Sequence, residues 1–85
     1  MGELSKLPNI GKTVEEQLRQ VGITTYDELK ARGTEQAWLD IQHIDASACI
    51  HRLLALEGAI RGVKKTELPE ERKLELKAFY QAHKL

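Results

Sequence analysis

The sequence predicts an all-α fold, a compact domain of five or six short helices. Three observations predict it. Helix start and stop signals are plentiful, and apolar residues recur at helical spacing. Strand signals are nearly absent: aromatics make up 5% of the chain and no segment alternates cleanly with period two. The connections between the punctuation marks are short.

Glu3 to Leu7 reads as a short helix. Leu7-Pro8-Asn9-Ile10-Gly11 then reads as the tight turn of a helix-hairpin-helix. Pro8 fixes its own φ and pushes Leu7 out of the helical region. Asn9 and Gly11 are residue types that tolerate positive φ, and Ile10 between them is expected to plug the core. Thr13 and Glu16 have capping-box spacing. Val14, Leu18 and Val21 continue at helical spacing, and Gly22 is expected to stop the helix as a left-handed residue.

Thr25 and Glu28 repeat the capping-box spacing. Leu29 lies one turn after Tyr26, and Gly33 ends that helix. Thr34 is the expected cap of a helix carrying Ala37, Trp38, Ile41 and Ile44. Asp45 or Ser47 is the expected start of the most apolar helix, from about Ala46 to Ile60. It is apolar on more than one face, which makes it the central helix. Gly62 closes it. Arg61 to Thr66 form a basic connection. Leu68-Pro69-Glu70-Glu71 opens a last helix, with proline at its first turn and acids near the positive end of the dipole. Leu76, Phe79 and Tyr80 form its apolar stripe.

The chain has 85 residues, sized for a single domain over 1–85. Lys plus Arg number 13 and Asp plus Glu also number 13, so the net charge is zero. A free-standing nucleic-acid binder is usually basic, because phosphate neutralisation supplies most non-specific affinity. The single cysteine, Cys49, excludes an internal disulfide and a Cys-based zinc cluster, and it is expected to be a small core residue. No apolar run approaches membrane-spanning length. Met1-Gly2-Glu3 opens without the pattern of a signal peptide, which makes the cytoplasm the expected location. His43, His51 and His83 lack metal-ligand spacing. No nucleophile–base pair stands out, so neither an enzyme, a metal nor a cofactor is expected.

Five segments stand in order: Leu-Pro-Asn-Ile-Gly at 7–11, Val-Gly-Ile at 21–23, Tyr-Asp-Glu-Leu at 26–29, Leu-Leu-Ala-Leu-Glu-Gly-Ala-Ile-Arg-Gly at 53–62 and Leu-Pro-Glu-Glu-Arg-Lys at 68–73. Over nearly the whole chain this order resembles the C-terminal domain of the TfoX (Sxy) DNA-transformation proteins. The Leu-Glu-Gly-Ala-Ile-Arg-Gly run is its most specific part. The resemblance implies an all-α, SAM-like domain with a helix-hairpin-helix-like start and a link to natural competence. Full-length members also carry an N-terminal domain, for which these residues leave no room. The chain is then either an excised domain or a stand-alone protein of that kind. The resemblance brings no catalytic residues with it.

Two function classes follow. In a helix-hairpin-helix the backbone N–H groups at the start of the second helix point outward and can hold a DNA phosphate. The candidate contact residues, for DNA or for a protein partner, are Asn9, Ile10, Gly11, Lys12 and Thr13 in the hairpin and Arg61, Lys64 and Lys65 in the basic connection. DNA-binding hairpins usually have Gly-hydrophobic-Gly in the turn and a small residue four places later. Here the turn is Asn9-Ile10-Gly11, and Glu15 stands at the small-residue place. The alternative is a protein-binding or self-associating module in which the hairpin is only structural. Gly22, Glu57, Gly58 and Gly62 are the candidate structural residues. Gly58 and Gly62 suit the close approach of another helix, and Glu57 interrupts an apolar stretch as a buried acid needing a distant base or backbone N–H groups.

Overall fold

Leu53, Leu56 and Ala59 form the spine of the core, and the rest of the chain wraps the helix that carries them. The computed structural model describes residues 3–84. Its helices are α1 (Lys12–Gln20), α2 (Tyr26–Arg32), α3 (Thr34–Ile44), α4 (Ile50–Arg61) and α5 (Glu70–His83). Single 3-10 turns stand at Glu3–Lys6 and Lys65–Glu67. No strand occurs among the described residues. The all-α expectation is met, and α4 is central: α2, α3, α5 and the second 3-10 turn pack on it.

The core joins Leu4, Ile10, Leu18, Ile23, Leu29, Ala37, Trp38, Ile41 and Leu76 to the α4 residues. Trp38 is its largest fully buried side chain. The indole N–H donates to the Cys49 carbonyl at 3.1 Å, so burial leaves no polar atom of the ring unsatisfied. Phe79 and Tyr80 of α5 meet the indole edge-on, with centroids 6.0 and 5.8 Å away. These contacts hold the last helix to the body.

Gly22 and Gly62 end α1 and α4 as expected. Their φ values are +89° and +77°, and each completes a Schellman motif. The Gly22 N–H donates to Arg19 O and the Ile23 N–H to Leu18 O; the Gly62 N–H donates to Ala59 O and the Val63 N–H to Gly58 O. Leu18 and Ile23, the residues this motif places in contact, are both fully buried.

Several starts differ from the sequence-based expectation. The first element is a 3-10 turn that stops at Lys6, because Leu7 precedes Pro8. Gly11 is the N-cap of α1, so Thr13 already lies inside the helix and the Thr13–Glu16 box does not form. Glu16 pairs with Arg19 instead. The Thr25–Glu28 box does form, with reciprocal bonds of 3.1 Å. Gly33, not Thr34, caps α3. The most apolar helix starts at Ile50, later than expected, because Asp45 folds the preceding segment into an Asx turn, accepting from the N–H and the hydroxyl of Ser47. Cys49 caps α4 without a side-chain bond and is only half-buried, not a core residue.

Glu57 is the expected buried acid. It is 5% exposed. The Thr34 hydroxyl donates to Oε1 at 2.7 Å, Arg72 Nη2 donates to Oε1 at 3.0 Å, and Arg61 Nε donates to Oε2 at 2.5 Å. Arg72 also reaches Glu35 and Glu75. One carboxylate thus ties α3, α4 and α5 together. Burial alone would raise its pKa; the bonds from Arg72, Thr34 and Arg61 outweigh it and bring the value down to about 2. In the unfolded chain the group returns to about 4.5. The ionised form therefore stabilises the fold fully above about pH 4.5, and that contribution is lost as pH falls towards 2. With the Arg61 side open to water, we expect it to amount to about 2 kcal/mol. Thermal melts of wild type and Glu57→Gln across the acid range check this. The wild type should lose its stability advantage through that window, and curves that stay parallel would uncouple the carboxylate from folding.

Candidate contact surface

Residues 7–10 turn the chain from the first 3-10 segment into α1. The Ile10 N–H donates to Leu7 O at 3.3 Å across the turn. Pro8 occupies the second place and Asn9 the third, with φ +69°, the pattern of a type II turn. Asn9 is the residue that needs the left-handed region. Gly11 does not: its φ is −98° and its ψ −175°, an extended backbone open to any residue. The expectation of a positive φ at Gly11 is thereby corrected.

The left-handed backbone turns the Asn9 carboxamide inward, onto α4. Nδ2 donates to Val63 O at 3.0 Å and reaches Ala55 O at 3.5 Å, while Oδ1 accepts from the Lys65 N–H at 3.2 Å. Gly58 makes room for it. A Cβ at position 58 would lie 2.5 Å from Asn9 Nδ2 and 2.7 Å from Val63 O. The expected close approach at Gly58 is real, but what approaches is a turn side chain and the backbone of the connection rather than another helix.

The structure therefore joins one part of the hairpin to the basic connection. Pro8, Asn9 and residues 62–67 line a shallow cleft of about 570 Å³. Lys12 and Thr13 line a different one, of about 520 Å³, with Glu16, Gln17, Gln20 and Ile44. The candidate contact residues divide accordingly. Gly11, Lys12, Thr13 and Lys64 are exposed. Ile10 is buried as the expected core plug, so its side chain is not a contact group. Asn9 is half-buried and committed inward. Arg61 is held by Glu57, and Lys65 is half-buried with its N–H on Asn9. Glu15, at the place where a small residue was expected, turns its carboxylate back to accept from the Ser5 N–H at 3.1 Å.

A second polar hub lies at the far end of α1. Asp45 accepts from Gln17 Nε2 at 2.8 Å and from Arg52 at 2.9 Å, besides Ser47. Its carboxyl is held well below the usual carboxylate range by the Ser47 hydroxyl first, then by Arg52, the Ser47 N–H and Gln17. Sequence reading missed this hub, as it missed Thr34 and Arg72 as the partners of Glu57. Arg72 had left a signal: a cation in the first turn of a helix opposes the dipole and needs a specific partner. Among the described residues no cluster of His, Cys, Asp and Glu could hold a metal ion. No described helix is long and apolar enough to cross a membrane.

The short segment, type II turn and capped helices clasped onto one central helix define a small all-α domain. The chain belongs to the TfoX C-terminal domain family, which matches residues 1–80. It is 34% identical over 73 residues to Protein Sxy of Escherichia coli K12; the match covers 86% of this chain and 35% of Sxy. The chain thus spans about a third of that relative. Two crystal structures from Listeria monocytogenes share the fold. One, titled an uncharacterized protein and solved in a triclinic form, is 48% identical with a TM-score of 0.92, covering 93% of this chain and 90% of that one. The other, titled a protein of unknown function and solved in a tetragonal form, is 47% identical with a TM-score of 0.89, covering 92% and 96%.

The clasp has a measurable signature. Asn9→Ala loses the side-chain bonds and forces alanine into positive φ, and should cost about 2–3 kcal/mol in urea unfolding. Gly58→Ala should cost a similar amount, about 1–3 kcal/mol, by overpacking. The double variant should be less destabilised than the sum, because removing the carboxamide relieves one of the clashes at position 58. Strict additivity would mean that the two residues do not meet.

Proposed function

We propose that the domain is a non-enzymatic interaction module of the competence-regulator kind, touching duplex DNA weakly through the start of α1. The observation that carries this reading is the uncapped, exposed segment Gly11-Lys12-Thr13. Gly11 gives α1 no side-chain cap, so the first-turn amides and the positive end of the dipole are available to a phosphate. Exposed Lys6 and Lys12 add positive charge to this end of the chain. The Glu15 carboxylate is turned back to accept from the Ser5 N–H. The family membership supports the regulatory setting, since the TfoX proteins are associated with DNA transformation. The domain would act in the cytoplasm.

The alternative is a protein-interaction module with a purely structural turn. The separation of the cations favours it: Lys12 and Lys64 border different clefts and Arg61 is already neutralised. A ligand reaching only the turn would meet about two lysines. The logarithmic salt dependence of DNA affinity should then have a slope of only about −2.

A low-salt fluorescence titration with a short DNA duplex decides between the two. Weak binding with that shallow slope, reduced about tenfold by Lys12→Glu, is expected for the DNA reading. An absence of binding at low salt would sink it and leave the protein-interaction reading.

A further inference from the structure

α5 turns one face away from the body. Leu74 is 60% exposed, more than Ile44 at 46%, the other exposed large apolar side chain among the described residues. Ala78 and Ala82 follow at one and two turns, with Gln81 beside them, and all three are exposed. The polar contacts that fasten α5 arise on its other side, where Arg72 reaches Glu35 and Glu57 and where Phe79 and Tyr80 meet Trp38. Those contacts draw on none of the four stripe residues.

We propose that this stripe pairs with its own copy, joining two chains through antiparallel α5 helices. Charge decides both the occupant and the direction. Glu70, Lys77 and Lys84 are spaced by seven residues, so they share one flank of the stripe, and Glu71 lies beside Leu74. All four are exposed. The flank is thus acidic at the start of the helix and basic at its end. A two-fold axis near Lys77 and Ala78 sets Glu70 of one chain beside Lys84 of the other, twice over. Parallel pairing would set acid against acid and base against base. Lys77 meets its own copy near the axis, a single like-charged contact set against the two outer pairs. Across the axis Leu74 faces Gln81 and Ala82 of the other chain, and Ala78 faces its copy, where a small side chain lets the helices approach. The interface is self-complementary, as a two-fold dimer requires.

The paired helices are only about 21 Å long, so the interface falls below the standard size and the dimer is weak. Sedimentation equilibrium of the full chain from about 10 μM to about 1 mM should show monomer and dimer in exchange. Leu74→Glu, at an exposed position that leaves the core intact, should weaken the dimer at least about tenfold. The charge pairs give a second test that does not depend on Leu74. A chain with Glu70→Lys, and a chain with Lys84→Glu, should each dimerise less than wild type. Mixing them should restore association, because each then meets its complement. A monomer at every concentration overturns the proposal. A dimer indifferent to Leu74→Glu, or mixed variants that fail to associate, overturns it too. Circular dichroism checks that each variant keeps its helices.

Discussion

The missing side chain at Gly58 is the constraint on which the rest of the molecule depends. A glycine inside a helix costs about 1 kcal/mol relative to alanine. Here it opens the wall of α4 to the Asn9 carboxamide, which bonds to Val63 O and to the Lys65 N–H. Each such bond contributes about 1 kcal/mol net, so the exchange is favourable. The consequences run outward. The carboxamide reaches α4 from a left-handed backbone, and that backbone makes the type II turn. The turn sets where α1 begins. The same bonds fix the path of the connection after Gly62, and with it the place from which α5 departs.

Glu57, one residue earlier, meets Thr34 and Arg72 while Gly58 meets the turn. The two neighbours thus anchor separate parts of the molecule. Set against an apolar replacement of the same shape, a buried ion pair brings little, although the bonds to Glu57 favour its ionised form over the protonated one. Its contribution here is selection. Arg72 sits where a helix favours an acid, and it is tolerated because Glu35, Glu57 and Glu75 surround its guanidinium. The pairing raises its already high pKa, with the Glu57 bond as the leading cause. Any other seating of α5 against α3 and α4 would take Arg72 away from the buried Glu57 carboxylate, leaving it only Thr34 and Arg61. The charge network therefore adds a polar constraint to the docking made by the apolar contacts of Phe79, Tyr80 and Leu76.

Much of this was legible in the residues. Gly22 and Gly62 as left-handed stops, the Thr25–Glu28 box, Ile10 as a plug and α4 as the central helix all follow from local chemistry. Glu57 was legible as an anomaly, an acid in an apolar run, but two of its partners, Thr34 and Arg72, were not, because they lie 23 and 15 residues away. The misplaced helix starts share one cause. Thr13, Thr34 and Ser47 all look like helix caps, yet in each case the chain turned at a neighbour. Gly11 and Gly33 took the cap positions of α1 and α3, and Asp45 used Ser47 for a turn of its own. Short polar residues compete for the same backbone donors, and tertiary packing chooses between them. The same limit hid the clasp. Asn9 was readable as a turn residue and Gly58 as a close approach, but nothing local says that each is the other's explanation.

The inward commitment of Asn9 also changes what the turn can offer a partner. Its side chain is used up in holding the turn to α4, so on the proposed reading recognition would come from the backbone and from Lys6 and Lys12. A backbone donor array is useful only if it is already in place, because ordering a loop on contact costs about 1–2 kcal/mol per residue fixed. The clasp removes that cost in advance: Pro8 fixes one φ, the Asn9 bonds fix the next residue, and buried Ile10 pins the third. Asn9 is therefore a positioning residue for the candidate surface. Loss of its side chain would reach a ligand through the loosening of Gly11-Lys12-Thr13 rather than through a missing contact. Such a turn, rigid and weakly charged, suits brief contact that depends on shape better than long residence on a polyanion.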